Sequence, residues 1–387
     1  MTDEQAMRRA IELALRGTGR VSPNPRVGCV ILKEGRVIGE GWHAAYGAPH
    51  AEVVALQNAT EEARGATMVV TLEPCVHYGK TPPCVPQIIA AGIARVVVGM
   101  LDPNPLVAGK GCEQLRQAGV EVRVGVLEPE CRWINRFFAK HITTSMPYVV
   151  GKIAQSLDGC IALPTGESRW ITGEESRRRV HALRAELDAV MVGKNTVFRD
   201  NPQLTVRDVP GRQPWRVVLD TGLQLPLMSF VFTDEYRDRT IVCCSPQALQ
   251  TRKAETFRRS GIQLMAVPIG EDGRLQLPAL FRLLSEHFNI ASVLVEGGAV
   301  LLSSCLRHRL LDELHVFIAP KVFGAGRHPF EQWVVETLEQ VWPVHIQAVM
   351  RSGNDLHVIA LKEPIARSGG VEEQQGEPDQ CEQRVSL

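Results

Sequence analysis

Short apolar segments of strand length alternate with helical patterns along most of this chain, and no other feature limits the fold as strongly. Apolar residues from Met7 to Leu15 recur at the spacing of one helix face, and Gly17 ends that pattern. Strands joined by helices indicate an α/β sheet. In the first part of the chain we predict strands at Val27–Leu32, Val37–Gly39, Met68–Leu72 and Arg95–Met100, and further helices at 49–58 and Val85–Ala91.

The same alternation resumes after Pro147, which indicates a second α/β unit of domain size. Its predicted strands are Tyr148–Ala154, Ala189–Gly193, Trp215–Asp220, Thr240–Cys244, Gln263–Val267, Ser292–Glu296 and Leu314–Ala319. We therefore divide the chain into domains at 1–145 and 146–365. The remaining residues, 366–387, are rich in Gly, Glu, Gln and Ser, and we predict a disordered polar tail.

Charge and hydropathy restrict the partners of the chain. Lys plus Arg and Asp plus Glu both number 43, so there is no electrostatic footprint for nucleic acid or an anionic membrane. No apolar run approaches the roughly 18–20 residues that span a bilayer, and charges between Asp3 and Glu12 interrupt any secretory signal. We expect a cytoplasmic homo-oligomer whose partner is a small molecule, without nucleic acid or membrane.

Three potential zinc ligands follow one another in a recognisable order: His50, then Cys75 after Pro74, then Cys84. Zinc prefers imidazole and thiolate ligands in a tetrahedron, and a catalytic site leaves one position for water. Glu52, two residues after the histidine, can carry protons without binding the metal. This order of residues is typical of zinc-dependent deaminases.

Two features of the motif leave alternatives open. A structural zinc site would need a fourth protein ligand, and His43 and His77 are candidates. Eight residues separate Cys75 from Cys84, whereas polynucleotide deaminases carry Cys-x-x-Cys. The longer insert brings Lys80 towards the metal, where it would contact a phosphate or a ring carbonyl, or remain a solvated loop lysine.

Longer motifs in the first half resemble the bifunctional riboflavin-biosynthesis deaminase–reductase family (RibD or RibG). They are Ser22-Pro23-Asn24-Pro25-Arg26-Val27-Gly28, His50-Ala51-Glu52-Val53, Thr71-Leu72-Glu73-Pro74-Cys75, Gly79-Lys80-Thr81-Pro82-Pro83-Cys84 and Asp102-Pro103-Asn104-Pro105. The resemblance implies a cytidine-deaminase-like three-layer α/β/α domain. This domain would remove the 2-amino group of 2,5-diamino-6-ribosylamino-4(3H)-pyrimidinone 5′-phosphate by zinc-hydroxide hydrolytic deamination.

The same resemblance implies roles for individual residues. One zinc ion would be held by His50, Cys75 and Cys84, and Glu52 would be the catalytic proton shuttle. Five further residues match positions that face the deaminase substrate in this family: Asn24, His43, Lys80, Asp102 and Asn104. Several of the five also fit a plain role as turn formers, since Asp-Pro-Asn-Pro favours a turn.

The second half lacks the Gly-x-Gly-x-x-Gly of a Rossmann site, but its motifs resemble the reductase half of the same family. They are Ser156-Leu157-Asp158-Gly159, Ser168-Arg169-Trp170-Ile171-Thr172-Gly173, Gly193-Lys194-Asn195-Thr196, Asp200–Arg207 and Glu296-Gly297-Gly298. The resemblance implies a dihydrofolate-reductase-like α/β domain. With NADPH it would reduce the ribosyl chain to give 5-amino-6-ribitylamino-uracil 5′-phosphate.

By motif match, the NADPH-binding residues would be Ala154, Trp170, Thr196, Asp200, Gly297, Gly298, Ala299, Val300 and Leu301. The reductase substrate would contact Lys152, Ser168, Arg184, Leu204, Arg207 and Glu296. The two arginines suit a phosphate, which guanidinium binds through two parallel hydrogen bonds. Asn195 departs from the family pattern, which has glycine there, and this leaves the placement of Thr196 open.

Two other functions compete with a deaminase–reductase. One is a tRNA base deaminase with an accessory C-terminal domain, which the balanced charge and the long Cys–Cys insert disfavour. The other is a non-catalytic binding protein stabilised by zinc, which the presence of Glu52 disfavours.

Overall fold

The computed structural model describes residues 1–105 and 107–364, and in this part of the chain two β-sheets follow one another. The tail predicted at 366–387 lies outside the described residues. The helices are α1 (Asp3–Leu15), α2 (Ala51–Ala59), α3 (Cys84–Ala90), α4 (Lys110–Gln117), α5 (Glu128–Ile134), α6 (Arg136–Thr144), α7 (Glu174–Glu186), α8 (Lys194–Asp200), α9 (Phe230–Thr233), α10 (Arg252–Arg259), α11 (Leu277–Phe288) and α12 (Ala299–Arg307). The strands are β1 (Gly28–Lys33), β2 (Arg36–Trp42), β3 (Thr67–Leu72), β4 (Arg95–Met100), β5 (Glu121–Val124), β6 (Tyr148–Ser156), β7 (Ala189–Gly193), β8 (Trp215–Leu219), β9 (Thr240–Cys244), β10 (Gln263–Ala266), β11 (Ser292–Val295), β12 (Glu313–Ala319), β13 (His345–Ser352) and β14 (Asp355–Leu361).

The first sheet has five strands in the order β2-β1-β3-β4-β5. β1 runs antiparallel to β2 and β3, while β3, β4 and β5 are parallel. Helix α1 begins with a capping box between Thr2 and Gln5, which satisfies amides at its free end. It packs so closely on β1 that a Cβ at Gly28 would lie 1.9 Å from the carbonyl oxygen of Ala10. Glycine is therefore required at that position.

Helices cover both faces of this sheet. Helices α1 and α5 contact one another, and α2, α3 and α4 form a second contacting group. Parallel strands β3 and β4 end at the same edge, and α2 and α3 begin beside that edge. The carboxyl ends of parallel strands are where α/β proteins place their ligands.

The second sheet has nine strands in the order β10-β9-β8-β7-β11-β6-β12-β14-β13. The seven from β10 to β12 are parallel, and β14 and β13 close the other side as antiparallel strands. The central strands are buried on both faces, as expected for a parallel sheet covered by helices.

Helix α6 joins the two sheets. The guanidinium of Arg136 lies 2.7 Å from the fully buried carboxylate of Glu313 on β12, and Lys140 forms an ion pair with Asp312. The two halves are thus held together by charged pairs as well as by apolar packing. No helix within residues 1–105 and 107–364 is both long and apolar enough to span a bilayer.

Candidate active sites

The three potential zinc ligands meet at the edge of the first sheet. His50 is the N-cap of α2, Cys75 follows β3, and Cys84 is the first residue of α3. The Nδ1 atom of His50 lies 3.5 Å from the Sγ of Cys75 and 3.3 Å from the Sγ of Cys84. A tetrahedral zinc with ordinary bond lengths would separate nitrogen and sulfur ligands by about 3.6 Å. The three side chains therefore fit a zinc ion.

The fourth corner of this tetrahedron has no protein ligand among the described residues. Both ring nitrogens of His43 are engaged elsewhere, since Nδ1 lies 3.1 Å from the carbonyl oxygen of Pro49 and Nε2 lies 3.1 Å from Nδ2 of Asn24. His77 is exposed and does not join the cluster. An open corner is the feature that separates catalytic from structural zinc sites.

Hydrogen bonds from neighbouring groups favour the thiolate form of Cys75 and orient the ring of His50. The thiol of Cys84 and its backbone N–H donate hydrogen bonds to the Cys75 sulfur, which hold the pKa of Cys75 well below its usual range. Thr81 Oγ1 lies 3.1 Å from Nε2 of His50, the nitrogen that faces away from the sulfurs. Such an outer contact fixes the orientation and tautomer of a ligating histidine. Sequence reasoning assigned no role to Thr81, because nothing about its position in the insert distinguishes it.

Glu52 lies in the first turn of α2, with 3% of its surface exposed. Burial raises the pKa of its carboxyl group, and the neighbouring Cys75 thiolate raises it further. A carboxyl group with a raised pKa holds a proton more readily than an ordinary glutamate, which suits general acid–base catalysis. Its position two residues from His50 agrees with the predicted role.

Of the predicted deaminase substrate residues, Asn24, His43 and Asp102 lie near this cluster. Asn24 contacts His43, whose ring packs edge-on against His50 with 5.6 Å between centroids. Lys80 is exposed, with its ammonium 3.9 Å from the ring centre of Tyr46. Asp102 is buried, and it accepts a hydrogen bond of 2.8 Å from the backbone N–H of Asn104.

A further buried residue, Glu73, organises the segment that carries Asp102 and Asn104. Its carboxylate accepts hydrogen bonds from the backbone N–H groups of Asp102, Gly109 and Cys112 at 2.8–3.1 Å. Burial raises the pKa of Asp102 to about 6, and the charge of Glu73 adds to this shift. The sequence motif that contains Glu73 does not reveal this role, because its partners lie 29, 36 and 39 residues away.

The second sheet carries a cavity of about 590 Å³, large enough for a dinucleotide. Its walls include Ser168, Thr196, Asp200 and the segment Gly298–Leu301 from the predicted set. Gly298 caps α12, so the free amides of that helix open towards the cavity and can bind a phosphate. Arg274 and Arg327 also line it, and no sequence motif distinguishes either residue.

Other predicted NADPH residues lie outside the cavity wall. Trp170 is 66% exposed, and its ring packs under the guanidinium of Arg177 at 4.8 Å. Gly297 and Ala154 do not line the cavity. Asn195 is the second residue of α8, so it has a helical backbone and needs no left-handed conformation. The departure from glycine is therefore compatible with Thr196 on the cavity wall.

The predicted reductase substrate residues form a charged cluster beside the cavity. Arg184 and Glu296 form a buried ion pair, and the Nη1 of Arg184 also donates to the carbonyl oxygen of Thr205 at 3.0 Å. Burial lowers the pKa of Lys152, and the charge of Glu296 opposes that shift. Arg207 donates to the hydroxyl of Thr205 at 2.9 Å. The side chain of Leu204 lies in the hydrophobic core, so a substrate contact there would come from its backbone.

Two protein families match the two halves of this chain. The cytidine and deoxycytidylate deaminase zinc-binding region matches residues 1–100, and the RibD C-terminal domain matches residues 147–358. The riboflavin biosynthesis protein RibD of Aquifex aeolicus is 44% identical over 355 residues, covering 92% of this chain and 97% of the relative.

Solved structures of RibD proteins are similar to this chain over nearly its whole length. RibD of Acinetobacter baumannii is 40% identical, with a TM-score of 0.83, covering 93% of this chain and 98% of that one. A deaminase/reductase from Thermotoga maritima gives 40% identity and a TM-score of 0.81 at the same coverage.

These comparisons confirm the predicted α/β fold class, the deaminase and reductase activities, and the cofactors Zn²⁺ and NADPH. They do not favour a tRNA base deaminase. The chain belongs to the RibD family of riboflavin biosynthesis proteins, with a zinc-dependent deaminase half and an NADPH-dependent reductase half.

Proposed function

We propose that the chain deaminates 2,5-diamino-6-ribosylamino-4(3H)-pyrimidinone 5′-phosphate and then reduces the ribosyl side chain of the product to ribityl. The Thermotoga relative is described as a diaminohydroxyphosphoribosylaminopyrimidine deaminase/5-amino-6-(5-phosphoribosylamino)uracil reductase. The observation that carries the proposal is the pairing of an open three-ligand metal cluster with a dinucleotide-sized cavity on one chain. We also propose that the domains divide at residues 145 and 146, between the two sheets.

In the first step, His50, Cys75 and Cys84 would hold a zinc ion, which would supply an activated water at the ring carbon that bears the 2-amino group. Glu52 takes a proton from that water and passes it to the ring nitrogen. It then moves the remaining proton of the added hydroxyl to the amine, which leaves as ammonia when the C–N bond breaks and the ring carbonyl forms. Its buried carboxyl group, with a raised pKa, suits both transfers. Asn24, His43, Lys80, Asp102 and Asn104 orient the pyrimidine and its phosphate.

In the second step, NADPH would supply the hydride for C1′ of the opened sugar. Thr196, Asp200 and the Gly298–Leu301 segment would hold the cofactor, and Ser168 lies on the same wall. Lys152 lies near the Arg184–Glu296 pair, and its lowered pKa allows the ammonium group to donate a proton to the sugar oxygen. Arg184 and Arg207 provide donors for the sugar phosphate.

The test is a single reaction that contains the protein, the diaminopyrimidine phosphate and NADPH. We expect ammonia release to precede NADPH oxidation, and we expect chelation of zinc to stop both. Supplying the deaminated intermediate to the chelated protein should restore NADPH oxidation alone. NADPH oxidation from the diamino substrate without ammonia release would contradict the proposed order.

We further propose a homo-oligomer that assembles through β13. This strand is the edge of the second sheet, and Ile346 and Val349 on it are each 60% exposed. An exposed apolar edge strand favours pairing with another chain. Light scattering should give a mass above one chain, and Val349→Lys should lower it. A wild-type protein that stays monomeric at micromolar concentration would refute this.

A cytoplasmic location is also proposed. The zinc cluster needs two thiolates, and thiols persist in the reducing cytosol. Fractionation of cells that express the chain should recover it with cytosolic markers, and recovery from an oxidising compartment would contradict the proposal.

A further inference from the structure

The segment that carries Asn24 is held by residues of the other half of the chain. The hydroxyl of Ser22 donates to Oδ2 of Asp188 at 2.7 Å, and Nη2 of Arg26 donates to Oε1 of Glu186 at 2.9 Å. Ser22 and Arg26 each stand two residues from Asn24, one on either side. Each anchor therefore limits how far the Asn24 side chain can move.

Both anchors are buried and are held by further hydrogen bonds. The Arg26 side chain is 9% exposed, and its backbone N–H and carbonyl both bond to the side chain of Asn135 at 2.8 and 3.1 Å. Asp188 is 4% exposed and accepts from the backbone N–H groups of Ala291 and Ser292 at 2.9 and 3.0 Å. Because Asp188 is fixed by the second sheet, the position of Ser22 is fixed as well.

The two surfaces also approach closely. A Cβ at Gly19 would lie 2.5 Å from the carbonyl oxygen of Ala185 in the last turn of α7. The same turn carries Arg184, which pairs with Glu296 in the reductase half. The end of α7 thus contacts the segment before the deaminase site and carries part of the reductase site.

The side-chain amide of Asn24 contacts His43, which lies beside the predicted zinc ligand His50. Its Nδ2 lies 3.1 Å from Nε2 of His43, and the ring of His43 packs against the ligand His50. A displacement of the 22–26 segment would therefore move a group that faces the substrate while leaving the three metal ligands on their own elements.

We propose that Ser22, Arg26, Glu186 and Asp188 are positioning residues for the deaminase reaction, through which the end of α7 sets the place of Asn24. This inference rests on the proposed function, because it takes Asn24 to face the pyrimidine. Deaminase substrate binding then depends on two residues, Glu186 and Asp188, that lie beyond the deaminase half of the chain.

The test compares Ser22→Ala, Glu186→Ala and Glu186→Gln in the full, zinc-loaded chain. Removing a hydrogen bond to a charged group corresponds to roughly tenfold or more in an equilibrium constant. We expect Ser22→Ala and Glu186→Ala to raise the deaminase KM about tenfold with a much smaller change in kcat. Zinc content should stay at the wild-type value, and Glu186→Gln, which keeps an acceptor for Arg26, should fall between.

Two control variants test whether these contacts act by positioning Asn24 or only by holding the two halves of the chain together. Lys140→Ala removes an ion pair between the halves, Lys140–Asp312, that does not touch the 22–26 segment. Its deaminase KM should match the wild type. Asn24→Ala should raise KM at least as much as Ser22→Ala. Glu186 Oε1 also lies 4.0 Å from Nη2 of Arg136, so Glu186→Ala alters a second charged contact. Ser22→Ala leaves that contact intact. If the KM values of Ser22→Ala and Glu186→Ala disagree, the Ser22→Ala value is the decisive one.

An unchanged KM in Ser22→Ala, or an equal rise in Lys140→Ala, would overturn the inference. So would an unchanged KM in Asn24→Ala. A wild-type protein that releases no ammonia from the diaminopyrimidine phosphate would instead refute the proposed function. If Glu186→Ala does not fold, Ser22→Ala and Glu186→Gln give the answer.

Discussion

The side chains of Arg184 and Glu296 form a two-pronged ion pair, with 2.5 Å between Nε and Oε1 and 2.9 Å between Nη2 and Oε2. The two side chains are 12% and 7% exposed. Removing one partner of a buried pair leaves an uncompensated charge, which is costly. Glu296 therefore fixes the guanidinium of Arg184, whose Nη1 donates to the carbonyl oxygen of Thr205.

We predict that Glu296→Gln lowers the reductase kcat/KM by about 10- to 100-fold, because Arg184 loses its charged partner and Lys152 loses the charge that supports its ammonium form. NADPH oxidation with the deaminated intermediate measures this loss. Ammonia release by the same variant is the internal control and should stay within twofold of wild type. A parallel fall in both activities would point to misfolding instead.

A second prediction concerns Thr81, which contacts the outer nitrogen of His50. Thr81→Val keeps the shape of the side chain and removes the hydroxyl, so zinc affinity should fall about 10- to 100-fold. Competition with a chromophoric chelator measures that affinity. Thr81→Ser retains the hydroxyl and should bind zinc like the wild type. Equal affinities for the Val and Ser variants would show that this contact does not tune the site.

A third prediction concerns pH and His357. Burial and the charges of His315 and Arg179 lower the pKa of His357 to about 4, and its Nδ1 lacks a hydrogen-bond partner among the described residues. The unfolded chain takes up this proton below about pH 6.5. Between pH 6.5 and 4 the unfolded state therefore binds more protons, so stability falls as pH falls.

After allowance for solvent screening, the contribution of His357 is up to about 2 kcal/mol. Urea unfolding at pH 7.5 and 5.0 should show a smaller loss of stability in His357→Gln than in the wild type. His308→Gln, at an exposed histidine, should lose as much as the wild type. An identical loss in all three proteins would contradict the assignment.

The parts of the fold that could be predicted from the sequence are those with a strong local pattern. β7 and β9 match their predicted bounds, because strands buried on both faces read as continuous apolar runs. No strand is predicted at β5, β13 or β14. β5 is short and carries charges at alternate positions, and β13 exposes most of its side chains, so neither has a buried run to detect.

The site residues also fall into two groups, those that the sequence predicts and those that it does not. His50, Glu52, Cys75 and Cys84 could be predicted because zinc chemistry restricts both residue type and order over a short stretch. Glu186 and Asp188 could not, since acidic residues at or just after the end of a helix are usually solvated and their partners lie 160 and 166 residues away. Long-range polar contacts leave no periodic trace in a sequence.

The most direct test of the two-step reaction is Glu52→Gln, assayed with both substrates. With the diaminopyrimidine phosphate and NADPH, we predict zinc-loaded protein that releases no ammonia and oxidises no NADPH. With the deaminated intermediate, the same variant should oxidise NADPH at the wild-type rate. Ammonia release at the wild-type rate, or NADPH oxidation from the diamino substrate, would contradict the assignment of Glu52 as the proton carrier of an obligatory first step.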